Sequence, residues 1–167
     1  MTMKKILATL TIILLAASAF AQDGKTLYAK YSDDPSVQAV YISPAMFKMI
    51  GRLPELNVEM DGGPVDLAPL IRSFTGFYLI QTEKAELKNS LDRELRALAA
   101  KGRQELLMEA KGDGETVRIY TTGSETTISS LVLMAISGEE TTFIWLDGNI
   151  LRSDLDELLA LASKEMR

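Results

Sequence analysis

The chain has 167 residues, 47% of them hydrophobic and 25% charged, a formal net charge of −5, and neither histidine nor cysteine. That inventory excludes Ser-His-Asp and cysteine-nucleophile catalysis, the ordinary zinc site, CxxCH haem attachment and the lipidated cysteine of a lipoprotein. The acidic balance argues against a nucleic-acid backbone as partner, since no Arg/Lys stripe interleaved with aromatics reverses it.

The first predicted element is a leader. Lys4 and Lys5 precede the apolar run Ile6–Ala17, and Ala19-Phe20-Ala21 sets small residues at −3 and −1 of a cleavage before Gln22. Basic, apolar and small regions in that order make a secretory signal peptide, and the apolar run is short for a membrane span. We therefore expect a signal peptide over residues 1–21, a single domain over 22–167, and a periplasmic or secreted product with no stable membrane anchor after cleavage. Loss of Lys4 and Lys5 makes the mature chain more acidic still.

Lys25–Tyr31 reads as a short helix ended by the turn "SDDP". Val37–Ser43 is rich in Val, Ile and Tyr, as a strand is. Ser43-Pro44 forms an N-cap followed by proline at N1, opening a short helix through Met46, Phe47 and Ile50 that ends near Gly51. Arg52–Pro69 holds Pro54, Pro64 and Pro69 and is the least regular stretch, with one short helix expected near Leu67–Ser73. Gly76–Thr82 is a buried-strand pattern. After it, Thr82 is placed to cap a helix whose apolar stripe is Leu87, Leu91, Leu95 and Leu98, with Gly102 as its stop. This strand–helix–strand order through Ala110 suggests a crossover unit.

Four strands are expected next, over Glu105–Ala110, Glu115–Tyr120, Thr127–Ile136 and Thr141–Asp147. "KGDG" (Lys111–Gly114) and "SGEE" (Ser137–Glu140) are hairpin turns by length and composition. Ser153 and Asp156 form a capping box for a last helix with a Leu155, Leu158, Leu159 and Ala162 stripe. The fold class is α+β: a single domain with a mainly antiparallel sheet of about five or six strands and helices packed against it.

Leu131–Ile150, "LVLMAISGEETTFIWLDGNI", is the most strongly patterned stretch. Alternation puts Val132, Met134 and Ile136 on one face and Leu131, Leu133 and Ala135 on the other. Both faces are apolar, as in a central strand or one at an association surface. Phe143 and Trp145 share a face, and Asp147-Gly148-Asn149 reads as a turn leaving the strand rather than a metal loop, since its spacing does not match an EF-hand.

No GxGxxG, GxxxxGK[ST] or SxxK motif is present. Asp33-Asp34 and Glu139-Glu140 sit in turns. Glu105, Glu109, Asp147 and Asp154 fall near element ends, where two of them facing across a cleft would form a general acid/base pair. The methionine-rich "AMFKMIGRLPEL" (Ala45–Leu56) offers a soft surface. The candidate docking surface comprises Met46, Phe47, Met49, Phe143 and Trp145; no catalytic, cofactor-binding or metal-binding residue is assigned, and no cofactor is expected.

Taken together, "VYISPAMFKMI", "GFYLIQTEKAELKNSLDREL", "ELLMEAKGDGETVRIY", "GEETTFIWLDGNI" and the closing "LDELLAL" resemble a family of small exported bacterial proteins, common in Bacteroidetes, catalogued as a domain of unknown function (number 4252). The resemblance covers nearly all of the mature chain and carries no catalytic signature. It implies a role in envelope sensing or signalling. The functional expectation is a non-enzymatic periplasmic interaction module with an envelope protein as partner. The alternatives are a small-ligand carrier with an apolar pocket and a carboxylate-dependent hydrolase.

Overall fold

The computed structural model describes residues 24–52, 57–60 and 63–156. The proposed signal peptide and the Leu158, Leu159 and Ala162 stripe lie outside them. Helix α1 (Gly24–Tyr31) leads into β1 (Val37–Ile42) and α2 (Pro44–Ile50). A small hairpin of β2 (Asn57–Met60) and β3 (Gly63–Asp66) follows, then α3 (Ala68–Ser73), β4 (Phe74–Thr82) and the long α4 (Ala85–Ala100). The chain then runs through β5 (Glu105–Gly112), β6 (Glu115–Gly123), β7 (Thr127–Ser137) and β8 (Glu140–Leu151), and residues 152–156 are helical. No described helix is long and apolar enough to cross a membrane.

Six strands form one sheet in the order β1-β4-β8-β7-β6-β5, with every neighbouring pair antiparallel. This is the expected single α+β domain. The tail of the sheet is a meander because its turns suit tight hairpins. Asp113 and Gly114 both adopt positive φ, as a two-residue type I′ loop requires, and Gly138 opens the β7–β8 loop with positive φ. Helix α4 carries the chain from the second strand position to the far edge, and β4 and β5 run in the same direction. The crossover unit is therefore present, but its two strands are separated by three others.

Register separates the two faces. Tyr78 lies opposite Trp145, Ile80 opposite Phe143, and Val132 and Met134 complete the same face. Leu27 and Tyr31 of α1 and Leu91, Leu95 and Leu98 of α4 close over these residues to make the core. Burying each such side chain contributes about 1.5–3 kcal/mol. Helix α1 sits so close to the sheet that a Cβ on Gly24 would lie 2.4 Å from the Trp145 indole. On the outer face, α2 and α3 pack at one end, where Phe47 meets Phe74 edge-on at 5.5 Å and Arg72 Nε donates to the Gly51 carbonyl at 2.7 Å. Further along that face an apolar row runs Val40, Leu79, Ile144, Leu133, Ile119, Met108, one residue from each strand. Its end members are exposed and the four between them half-buried.

Ser43 caps α2 as expected, accepting from the Met46 amide. Three expectations need correcting. Thr82 does not cap α4: it stays in β4, buried, and its hydroxyl accepts from the Lys84 amide, with Lys84 in the cap position. Asp147-Gly148-Asn149 is not a turn, because β8 continues to Leu151. Gly148 suits this place, since a Cβ there would stand 2.8 Å from the carbonyl of Ser73, the residue before its cross-strand partner Phe74. Ser153 lies inside the last helical segment rather than ahead of it, and its hydroxyl donates to Asp154.

Candidate functional site

The five residues of the expected docking surface separate. Phe143 is fully buried and Trp145 is 3% exposed, both under α1 and α4, while Phe47 is buried against Phe74. These three cannot meet a partner and are core residues. The period-two pattern of Phe143 and Trp145 puts them on one face, and it is the covered one. Met46 and Met49 remain outside, exposed on α2.

The exposed apolar surface lies elsewhere. Strand β5 is the last in the sheet, paired among the described residues only with β6, and all eight of its residues are exposed. Leu106, Leu107 and Met108 stand there consecutively, each between 44% and 48% exposed. A register shift between Leu106 and Met108 leaves Leu107 without a cross-strand partner. A bulge of this kind bends an edge strand and re-aims its side chains. Three consecutive exposed apolar residues on an edge are a hazard that folded proteins ordinarily avoid unless the surface is used. Glu105, at the start of the strand, has no ion-pair partner among the described residues, whereas Glu109 is held by Lys111 and Arg118.

Arg118 is the one buried cation among the described residues. It projects from β6 beneath α4, where Nη1 donates to Asp92 and Nε to Glu109, and Asp92 also receives Arg96. This network ties β5 to the covering helix. The Lys111 ammonium and the Arg118 guanidinium draw the Glu109 carboxyl down from 4.5 to about 2. A carboxyl lowered by folding contributes stability that is complete above its unfolded value and disappears as the pH falls through its folded value. The urea midpoint should therefore drop between about pH 4.5 and pH 2, and Glu109→Gln should flatten that slope. Asp34 adds to the same trend, its carboxyl lowered chiefly by the Ser36 hydroxyl. Equal slopes for the two proteins would show that Glu109 is not the group responsible.

A second feature is a tyrosine cluster between α1 and the β1 edge. The Tyr41 and Tyr78 rings stack at 5.2 Å with 20° between planes, and Tyr28 of α1 lies 5.8 Å from Tyr78 and 6.0 Å from Tyr41. These rings, with Lys25, Ser32 and Asp33 at the rim, line a cavity of about 310 Å3. Nearby, Lys30 and the Tyr31 hydroxyl both donate to Glu94 and bind α1 to α4. Burial first, and then the Glu94 hydrogen bond, raise the Tyr31 hydroxyl above its ordinary range.

The acidic candidates do not converge. Asp147 accepts from the Trp145 indole at 2.7 Å, Asp154 is at the sheet's end with Ser153, and Glu105 and Glu109 are on β5. No group of three metal-ligating side chains occurs among the described residues. Sequence reasoning missed both surface features. The adjacent leucines of "ELLM" are a readable signal, since neighbouring strand residues face opposite ways and one leucine must point outward on an edge. The tyrosines come from three separate elements and leave no local pattern.

Comparison with known proteins places this fold in a family. A family model described as Domain of unknown function (DUF4252) matches residues 31–158, spanning β1 to the helical segment after β8. No curated protein and no solved structure matches the chain. The chain belongs to the DUF4252 family.

Proposed function

We propose that this protein is an exported, non-enzymatic interaction module that binds an envelope protein by accepting an extended segment of it along β5. One observation carries the reading: an edge strand whose eight residues are all exposed and whose first half carries Leu106-Leu107-Met108. An added strand would satisfy the outward amides and carbonyls of β5, and alternate side chains would cover Leu106 on one side and Met108 on the other. The unpaired Glu105 suits a basic residue flanking the apolar part of that segment. Export rests on the leader pattern of residues 1–21. Among the described residues, the two carboxyls with clear shifts, Asp34 and Glu109, both move down, opposite to the direction a general acid requires.

The test is a photo-crosslinking residue placed at Leu107 in intact cells, compared with one at Asn89, exposed on α4. A single envelope protein captured from position 107, absent from position 89, and lost on Leu106→Asp is the expected result. The same set of proteins from both positions would overturn the reading.

A further inference from the structure

The tyrosine cavity has features that packing alone does not require. Lys25 and Tyr28 follow the i, i+3 spacing that aligns residues on one helical face, and Ser32 and Asp33, in the turn after the helix, border the same cavity. Opposite stand Tyr41, 47% exposed, and Tyr78, which floors the cavity. Its volume falls at the small end of the roughly 300–1,000 Å3 range of ligand sites.

The charges around α1 divide into two sets. Lys30 is paired with Glu94, and Asp34 with Lys84, away from the cavity. Lys25 and Asp33, the two that line it, have no ion-pair or hydrogen-bond partner for their side chains among the described residues. They lie at opposite ends of α1, Lys25 in its first turn and Asp33 in the turn after Tyr31, and the helix alone rises about 9 Å from Lys25 to Tyr31 at about 1.5 Å per residue. The helix dipole reinforces both, favouring an anion near Lys25 at the N-terminal end and a cation near Asp33 at the C-terminal end. Between the two poles the surface is aromatic.

We infer that this cavity binds a short peptide with free termini, about three residues long, carrying an apolar or aromatic side chain at its centre. Three extended residues span about 10 Å, comparable to the length of α1 from Lys25 to Tyr31. The peptide carboxylate pairs with Lys25, its ammonium with Asp33, and its central side chain lies on Tyr28 and Tyr41. A neutral sugar would use the same rings but would need neither pole. This site lies across the sheet from β5 and is independent of the β5 proposal.

The experiment is calorimetric titration of the purified protein with Gly-Phe-Gly, its N-acetylated form, its C-amidated form, Gly-Ala-Gly and maltose. Gly-Phe-Gly should bind best, and blocking either terminus should weaken it about tenfold, the size of a lost charge-assisted hydrogen bond. Asp33→Asn should erase the penalty for acetylation alone, and Lys25→Gln the penalty for amidation alone. Tyr41→Ala should erase the preference for Phe over Ala. All three side chains are exposed, so unchanged melting of the variants controls for folding. Absence of peptide binding, equal binding of free and blocked peptides, or binding of maltose in their place would each overturn the inference.

Discussion

Replacing Phe143 by alanine should destabilise the protein by about 3–5 kcal/mol, the largest single-residue loss anticipated for this fold. Phe143 is fully buried at the centre of the sheet, opposite Ile80 on one side and Met134 on the other, with Trp145 beside it at 6.3 Å. Its ring fills the space between the sheet and the helices α1 and α4. Truncation loses the transfer free energy and leaves a cavity that a six-stranded sheet cannot close by shifting one strand. Urea denaturation would read this directly. A loss below about 1 kcal/mol, with the fold intact, would mean that Phe143 is not packed as described.

The second large effect concerns Arg118, and its interest lies in an asymmetry. Changing both partners, Asp92→Asn with Glu109→Gln, strands a guanidinium that is 7% exposed without a counter-charge. Such a loss costs about 3–5 kcal/mol. The lower end of that range applies, because Asp92 and Glu109 are 27% and 32% exposed and water reaches their side of the network. Arg118→Met instead removes the charge and keeps most of the volume, so both carboxylates can turn to solvent, and the cost should stay below about 1.5 kcal/mol. Denaturation midpoints of the two variants decide the matter: the double carboxylate variant should be the weaker. The reverse order would place the stabilisation in the arginine's packing rather than in its charge.

The legible parts of the fold are those governed by short-range chemistry. Asp113-Gly114 announces a hairpin because few residues adopt two successive positive φ values, and Ser43-Pro44 announces a helix start because the serine hydroxyl accepts the Met46 amide. The leucine stripe of α4 identifies the face that reaches the core. Where a feature depends on a distant backbone, local reading fails. Asp147-Gly148-Asn149 has the composition of a turn, yet its glycine leaves room for the nearby Ser73 carbonyl at the start of the neighbouring strand. The β2–β3 hairpin hides in a proline- and glycine-rich stretch with no alternation to betray it. At the level of sites the divide is sharper. Period two correctly put Phe143 and Trp145 on one face, but alternation cannot say which face the helices cover, and the chain's only tryptophan proved to be core. The exposed edge is β5 because α4 carries the chain across the whole sheet before that strand begins, a consequence of strand order and of nothing within "ELLMEA" itself.

Strand addition at β5 is most directly tested by amide hydrogen exchange on the purified protein, alone and with the captured partner segment. Binding should slow exchange across Glu105–Gly112 on the order of tenfold or more, as outward amides of an edge strand become paired, while α4 and β1 stay unchanged. Unchanged exchange in β5 with protection on any other element would contradict the account.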